Sequence, residues 1–105
     1  MENKVTTKED LIQRILKQRK RLSFLGVTSI GLFGSFVRGE QTASSDIDIL
    51  VEFAAEKHTF DNFMDVSFLL EEILGRKVEV VTPEGLSPYI GPHILKEVER
   101  VTVAA

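Results

Sequence analysis

Three acids in this chain are spaced so that they can share one chemical task. Asp46 and Asp48 open the run Asp46-Ile47-Asp48-Ile49-Leu50-Val51-Glu52-Phe53, and Glu79 lies inside Val78-Glu79-Val80-Val81. Residues i and i+2 of a strand project from one face, and two steps of ~3.3 Å put their Cα atoms ~6.6 Å apart, near enough for both carboxylates to meet one or two divalent ions. Two such ions ~3.5–4 Å apart form the clamp of phosphoryl and nucleotidyl transfer, which activates the attacking oxygen and neutralises the leaving phosphates. The plainer reading is a solvated aspartate pair at a strand start, with Ser44 and Ser45 as turn formers. Glu79 favours the first reading, because an ionised carboxylate buried unpaired in an apolar strand costs several kcal/mol and a shared metal supplies its partner. Exposure from a half-buried strand, or pairing with Arg76 or Lys77, is the alternative for Glu79.

A further element precedes the acids. Gly34-Ser35 reads as a turn whose backbone N–H groups, opening a short helix through Phe36 to Arg38, face a triphosphate together with the Ser35 hydroxyl, while Arg38 adds a charge. The alternative is an ordinary glycine turn with a serine cap. The order of the parts is what speaks for chemistry: a phosphate cradle, then Asp46 eleven positions after Ser35, then a third acid on another strand.

The elements that must position these groups follow from periodicity. Thr6 with Glu9 three residues on reads as a capping box opening a helix with Leu11, Ile12, Ile15, Leu16 and Leu22 inward, ended by Gly26. Val27, Ile30, Leu32 and Phe33 make a strand into the Gly34 turn, and the next strand begins at Asp46. A loop around Lys57 and His58 leads to a helix with Phe60, Phe63, Met64, Leu70 and Leu74 on its apolar face, closed by Gly75. Val78 to Val81 forms a third strand. Pro92 suits the first turn of a last short helix with Ile94, Leu95 and Val98 inward. Helix, strand, strand, helix, strand, helix predicts an α/β (α+β) fold, a small mixed β-sheet flanked by helices.

Composition narrows the classes. The 105 residues suit one domain, 1–105, and 43% hydrophobic content with seven Phe is that of a chain with a core. A net charge of −3 argues against a dedicated nucleic-acid surface, so phosphate must be held locally. Zero Cys excludes disulfides and thiolate metal sites. The longest uncharged stretch, Leu22 to Val37, falls short of the ~20 residues that span a bilayer, and no signal-peptide pattern is present, so a cytoplasmic protein without a membrane partner is expected. His58 and His93 read as surface or packing residues, Arg19-Lys20-Arg21 as a solvated face, and the Phe60, Phe63, Met64 stripe as core.

Gly34-Ser35-Phe36-Val37-Arg38-Gly39, followed by Ser45-Asp46-Ile47-Asp48-Ile49-Leu50-Val51-Glu52-Phe53, resembles the signature of the minimal nucleotidyltransferases of the DNA polymerase beta superfamily. Leu74-Gly75-Arg76-Lys77-Val78-Glu79-Val80-Val81-Thr82-Pro83 is similar to the segment that carries their third carboxylate. The likeness runs from about Gly26 to Val101 and implies a polymerase-beta-like nucleotidyltransferase fold. It implies that Gly34, Ser35, Arg38 and Ser45 lie on the nucleotide side and that Asp46, Asp48 and Glu79 are the catalytic, Mg²⁺-holding carboxylates, with two ions and ATP as substrate. It also implies transfer of a nucleoside monophosphate, AMP, to a protein acceptor, and pairing with a helical HEPN protein as the antitoxin to its toxin. The third acid of the family is usually Asp, and one extra methylene at Glu79 moves a metal-bound oxygen by roughly an ångström, a displacement that can cost ~100-fold in rate. A non-catalytic subunit that neutralises a HEPN protein by contact is the competing expectation. Haloacid-dehalogenase-like phosphatases need the apolar strand before the first Asp, where Ala43-Ser44-Ser45 stands. Response-regulator receivers begin with a strand and need a later Lys. So little chain surrounds the acids that the acceptor must bring its own surface, which makes a homo- or hetero-oligomer the expectation.

Overall fold

The computed structural model describes residues 3–103; residues 1–2 and 104–105, the ends of the expected 1–105 domain, lie outside the described residues. Nine regular elements run in the order α1 (Lys8–Lys17), α2 (Arg19–Phe24), β1 (Val27–Phe33), α3 (Ser35–Arg38), β2 (Ile47–Phe53), α4 (Phe60–Leu74), β3 (Val78–Val81), α5 (Gly91–Glu97) and β4 (Glu99–Thr102). The expected mixed α/β architecture is present. The sheet order is β3-β2-β1-β4, with β1 antiparallel to β2 and β4, and β2 parallel to β3 through α4.

The two faces of the sheet have different fates. Ile47, Ile49 and Val51 alternate along β2, and the register sets them beside Val78 and Val80 on one side and Ile30 and Leu32 on the other. This face takes the helical layer: Leu11 and Ile15 of α1, Leu22 of α2 and Val66, Leu70, Ile73 and Leu74 of α4 are all buried with it. Each such side chain contributes roughly 1.5–3 kcal/mol on full burial. The helices are set by their ends. Thr59 caps α4 by accepting the Asn62 N–H at 3.1 Å, and Gly75 closes it at φ 66°. The opposite face carries Asp48 and Leu50, and there α5 arrives: the Val98 side chain just after it packs onto Gly31, where any Cβ would collide with it.

Five expectations are corrected. The N-cap of α1 is Thr7, whose hydroxyl accepts the Asp10 N–H at 3.1 Å; the tandem pairs Thr6-Thr7 and Glu9-Asp10 fit two frames one residue apart. The first helix is broken at Gln18, which leaves helical geometry at φ −104°, ψ 13°, so α2 can re-aim Leu22 into the core. The second strand starts at Ile47, one residue after Asp46. Phe60 and Leu95 are 77% and 48% exposed, because α4 and α5 turn other residues inward. A fourth strand, β4, follows α5 without a turn and pairs with β1 from Ser29 to Leu32. His58 stacks on Phe53 with ring centroids 5.2 Å apart, the expected packing role, and Arg19, Lys20 and Arg21 are exposed.

Candidate active site

The site is built where β1 ends against β2. Gly34 stands at φ 79°, ψ −156°, a region essentially restricted to glycine, so the chain leaves β1 in a direction no other residue adopts without strain. Its Cα faces Asp48: a Cβ there would lie well inside contact distance of Asp48 Oδ2 and 3.0 Å from Cγ. The Gly34 carbonyl accepts the N–H groups of Val37 and Arg38 at 3.1 and 3.2 Å, which curls residues 35–38 into α3, and Gly39 ends it at φ 73°. Gly34 is therefore packed directly against the second aspartate of the pair.

The parallel register then sets Asp48 opposite Glu79, as it sets Phe33 of β1 opposite Asp48 from the other side. Asp48 is half-buried, and its carboxyl is pushed above the ordinary aspartate value, first by burial and then by the charges of Glu79 and Asp46; Arg38 opposes the shift and Glu97 adds to it. Asp46 and Glu79 are exposed. The expectation of a buried Glu79 is thereby corrected: its place on an edge strand lets water solvate it. Nor does it pair with Arg76, which is turned away into the protein.

The carboxylates line two separate depressions. Asp48 opens to a cleft of about 410 Å³ with Gly34, Arg38, His93 and Glu97, whereas Asp46 and Glu79 border one of about 470 Å³ with Lys77 and Met64. Among the described residues no three acidic, histidine or cysteine side chains are gathered into a ready-made metal cluster. The donor chemistry nevertheless fits a hard divalent cation: all oxygen, on neighbouring strands or the residue just before one, with mutual repulsion that a cation relieves. A cavity of about 520 Å³ between α2 and α4, lined by Phe24 and Phe68, holds none of these acids.

Two residues escaped the sequence reading. Arg76 is only 7% exposed, and its guanidinium donates to the carbonyls of Val5 at 2.6 Å, Thr42 at 3.1 Å, Ala43 at 3.2 Å and Ser45 at 2.8 Å while lying 5.1 Å from the Phe36 ring centre. It thus ties the loop that delivers Asp46 to the helix that follows Ser35. Ser45 serves the same loop, its hydroxyl accepting the Thr42 N–H at 2.8 Å. Glu97 reaches from the end of α5 to accept the Gly34 N–H at 3.0 Å with one oxygen and Arg38 Nη1 at 2.8 Å with the other. These contacts hold the Glu97 carboxyl below the usual glutamate value, the Gly34 bond contributing most. Arg38 also donates through Nε to Glu40 at 2.7 Å, and the two carboxylates raise its pKa further. Nothing in residue type or spacing around Arg76 or Glu97 marks these long-range contacts.

The chain as a whole is similar to known proteins. A family model described as "Nucleotidyltransferase domain" matches residues 12–101. Over 96 residues the chain is 38% identical to "Protein adenylyltransferase MntA" of Thermococcus cleftensis, covering 90% of this chain and 96% of that protein. A solved structure provisionally described as a minimal nucleotidyltransferase matches with TM-score 0.69 at 28% identity, over 84% of this chain and 93% of that one. The crystal structure of a toxin–antitoxin with AMP-PNP matches with TM-score 0.67 at 26% identity, over 85% of this chain and 70% of that one. The chain belongs to the nucleotidyltransferase domain family, as a minimal nucleotidyltransferase, and is an enzyme of that class.

Proposed function

We propose that this nucleotidyltransferase moves AMP from ATP to a protein acceptor and acts as the antitoxin of a pair whose other member is a HEPN protein. The observation that carries the reading is the contact of Gly34 with Asp48, which sets the turn read as the phosphate seat against one of the three carboxylates. The similarity to a relative named a protein adenylyltransferase and to a toxin–antitoxin that holds AMP-PNP supports the acceptor class and the nucleotide.

In this mechanism the Gly34 N–H, the Ser35 hydroxyl and Arg38 orient the triphosphate, while Ser45 and Arg76 keep the loop before Asp46 in shape. Asp46, Asp48 and Glu79 are the residues that would hold Mg²⁺, two ions by family likeness, which neutralises charge on the phosphates. Glu79, exposed at the edge of the sheet, helps place the acceptor's oxygen. That oxygen bonds to the α-phosphorus as the bond to the bridging oxygen breaks; pyrophosphate leaves and the acceptor proton passes to water. Ile90 lines the Asp48 cleft and is exposed, as is its neighbour Tyr89, an apolar lip suited to a protein partner.

The test is transfer of label from α-labelled ATP to the protein encoded beside this one. Asp46→Asn with Asp48→Asn is expected to abolish transfer without unfolding the chain; undiminished labelling would remove the assigned roles.

A further inference from the structure

The phosphate turn already holds an anion of its own. Glu97 bridges the Gly34 N–H at 3.0 Å and Arg38 Nη1 at 2.8 Å, so the two oxygens of one carboxylate engage two of the donors assigned to the triphosphate. A phosphate group presents the same pair of charged oxygens to such donors. Arg38 is further bound by Glu40 at 2.7 Å, leaving its charge doubly compensated before any nucleotide arrives. The backbone under Glu97 has little freedom, because Val98 is nested on Gly31 and Glu99 is paired with Leu32 in the sheet. The side chain is less confined, at 26% exposure.

Resting on the nucleotide reading above, we propose that Glu97 is a built-in competitor for the phosphate seat: its carboxylate occupies the Gly34 and Arg38 donors, and a triphosphate binds by displacing it. The cost of that displacement weakens nucleotide binding, because each charge-assisted bond the phosphates make replaces one already made. The same exchange in reverse promotes release of pyrophosphate, since the carboxylate returns to the donors that the leaving group vacates. Glu97 is therefore a residue that sets affinity and product release, and it touches no reacting atom.

Calorimetry with Mg²⁺ and AMP-PNP on the full chain tests this, using Glu97→Gln, which weakens the competitor, and Glu97→Asp, which keeps the charge but shortens its reach. Both are expected to bind AMP-PNP about three- to tenfold more tightly than the parent, a gain within what one charged hydrogen bond can account for. Both should also show stronger product inhibition by pyrophosphate in the transfer assay. A parent that binds AMP-PNP alongside variants that bind equally or more weakly overturns the competitor role and leaves the nucleotide site standing, with Glu97 as a brace for the turn. Absence of AMP-PNP binding in parent and variants alike removes the nucleotide reading, and this inference with it.

Discussion

Gly34 and Asp48 are in direct apposition: the Cα of one faces a carboxylate oxygen of the other with no room for a methyl group between them. The turn proposed to meet phosphate and the strand that bears Asp48 are thus one packed unit, and their spacing is set by glycine's missing side chain. Gly34→Ala should therefore cost on two counts, a backbone region essentially closed to other residues and a collision with Asp48, together about 2–4 kcal/mol. Urea denaturation measures the loss, and AMP-PNP binding should fall with it; an unchanged midpoint would show that the turn relaxes freely.

Asp48 is held in the fold against its charge. Its raised pKa means that the folded chain binds this proton more tightly than the unfolded one, so its contribution to stability is present below the ordinary aspartate range and is lost as pH rises through the raised value. Asp48→Asn should then melt a few degrees above the parent at neutral pH in chelator, with the gap closing toward pH 4, while transfer drops by 100-fold or more. Thermal scans at the two pH values check the sign.

Removing Arg76 frees four backbone carbonyls at once. Arg76→Met, which keeps much of the apolar volume, is expected to destabilise by about 2–4 kcal/mol through partners left unsatisfied. Arg76→Lys should recover only part of this, since an ammonium cannot span the same fork of acceptors. Denaturant midpoints and transfer rates for both variants are the measurements. Equal activity in the lysine variant would show that the loop before Asp46 needs only a charge.

Glu79→Asp gives this position the carboxylate length that the resemblance leads one to expect. On an exposed strand edge the change should alter stability by less than about 0.5 kcal/mol. Transfer is expected to rise, up to ~100-fold if the extra methylene now misplaces the oxygen. Single-turnover labelling reads it, and a fall would mean that the longer arm suits this site.

What the sequence displayed, and what it hid, divides by range. Alternation along residues 46–53 and the apolar run at 78–81 announced two strands, and the Gly34 turn and the paired aspartates were readable as local patterns. That Glu79 could share a face with the aspartates rested on those strands being neighbours; the register that sets it opposite Asp48 was not legible. Hidden were features with no local signature. Glu99–Thr102 has one buried apolar residue, Val101, and becomes a strand only because β1 offers it an edge. Phe60 looked like core by spacing alone, yet it lies in the first turn of α4, where the helix overhangs solvent. Glu97 and Arg76 act across 63 and up to 71 positions of chain, respectively, on groups that no periodicity connects.

The same Arg76 network reaches the amino-terminal segment. Val5 is fully buried, its carbonyl accepts from Arg76 Nε, and its own N–H donates to Leu74 at 2.9 Å. The residues ahead of α1 invite trimming from an expression clone as an idle tail. Such a deletion would pull a plug from beneath the guanidinium and slacken its hold on the segment leading into Asp46. A fusion tag is better attached with residues 3–6 left in place.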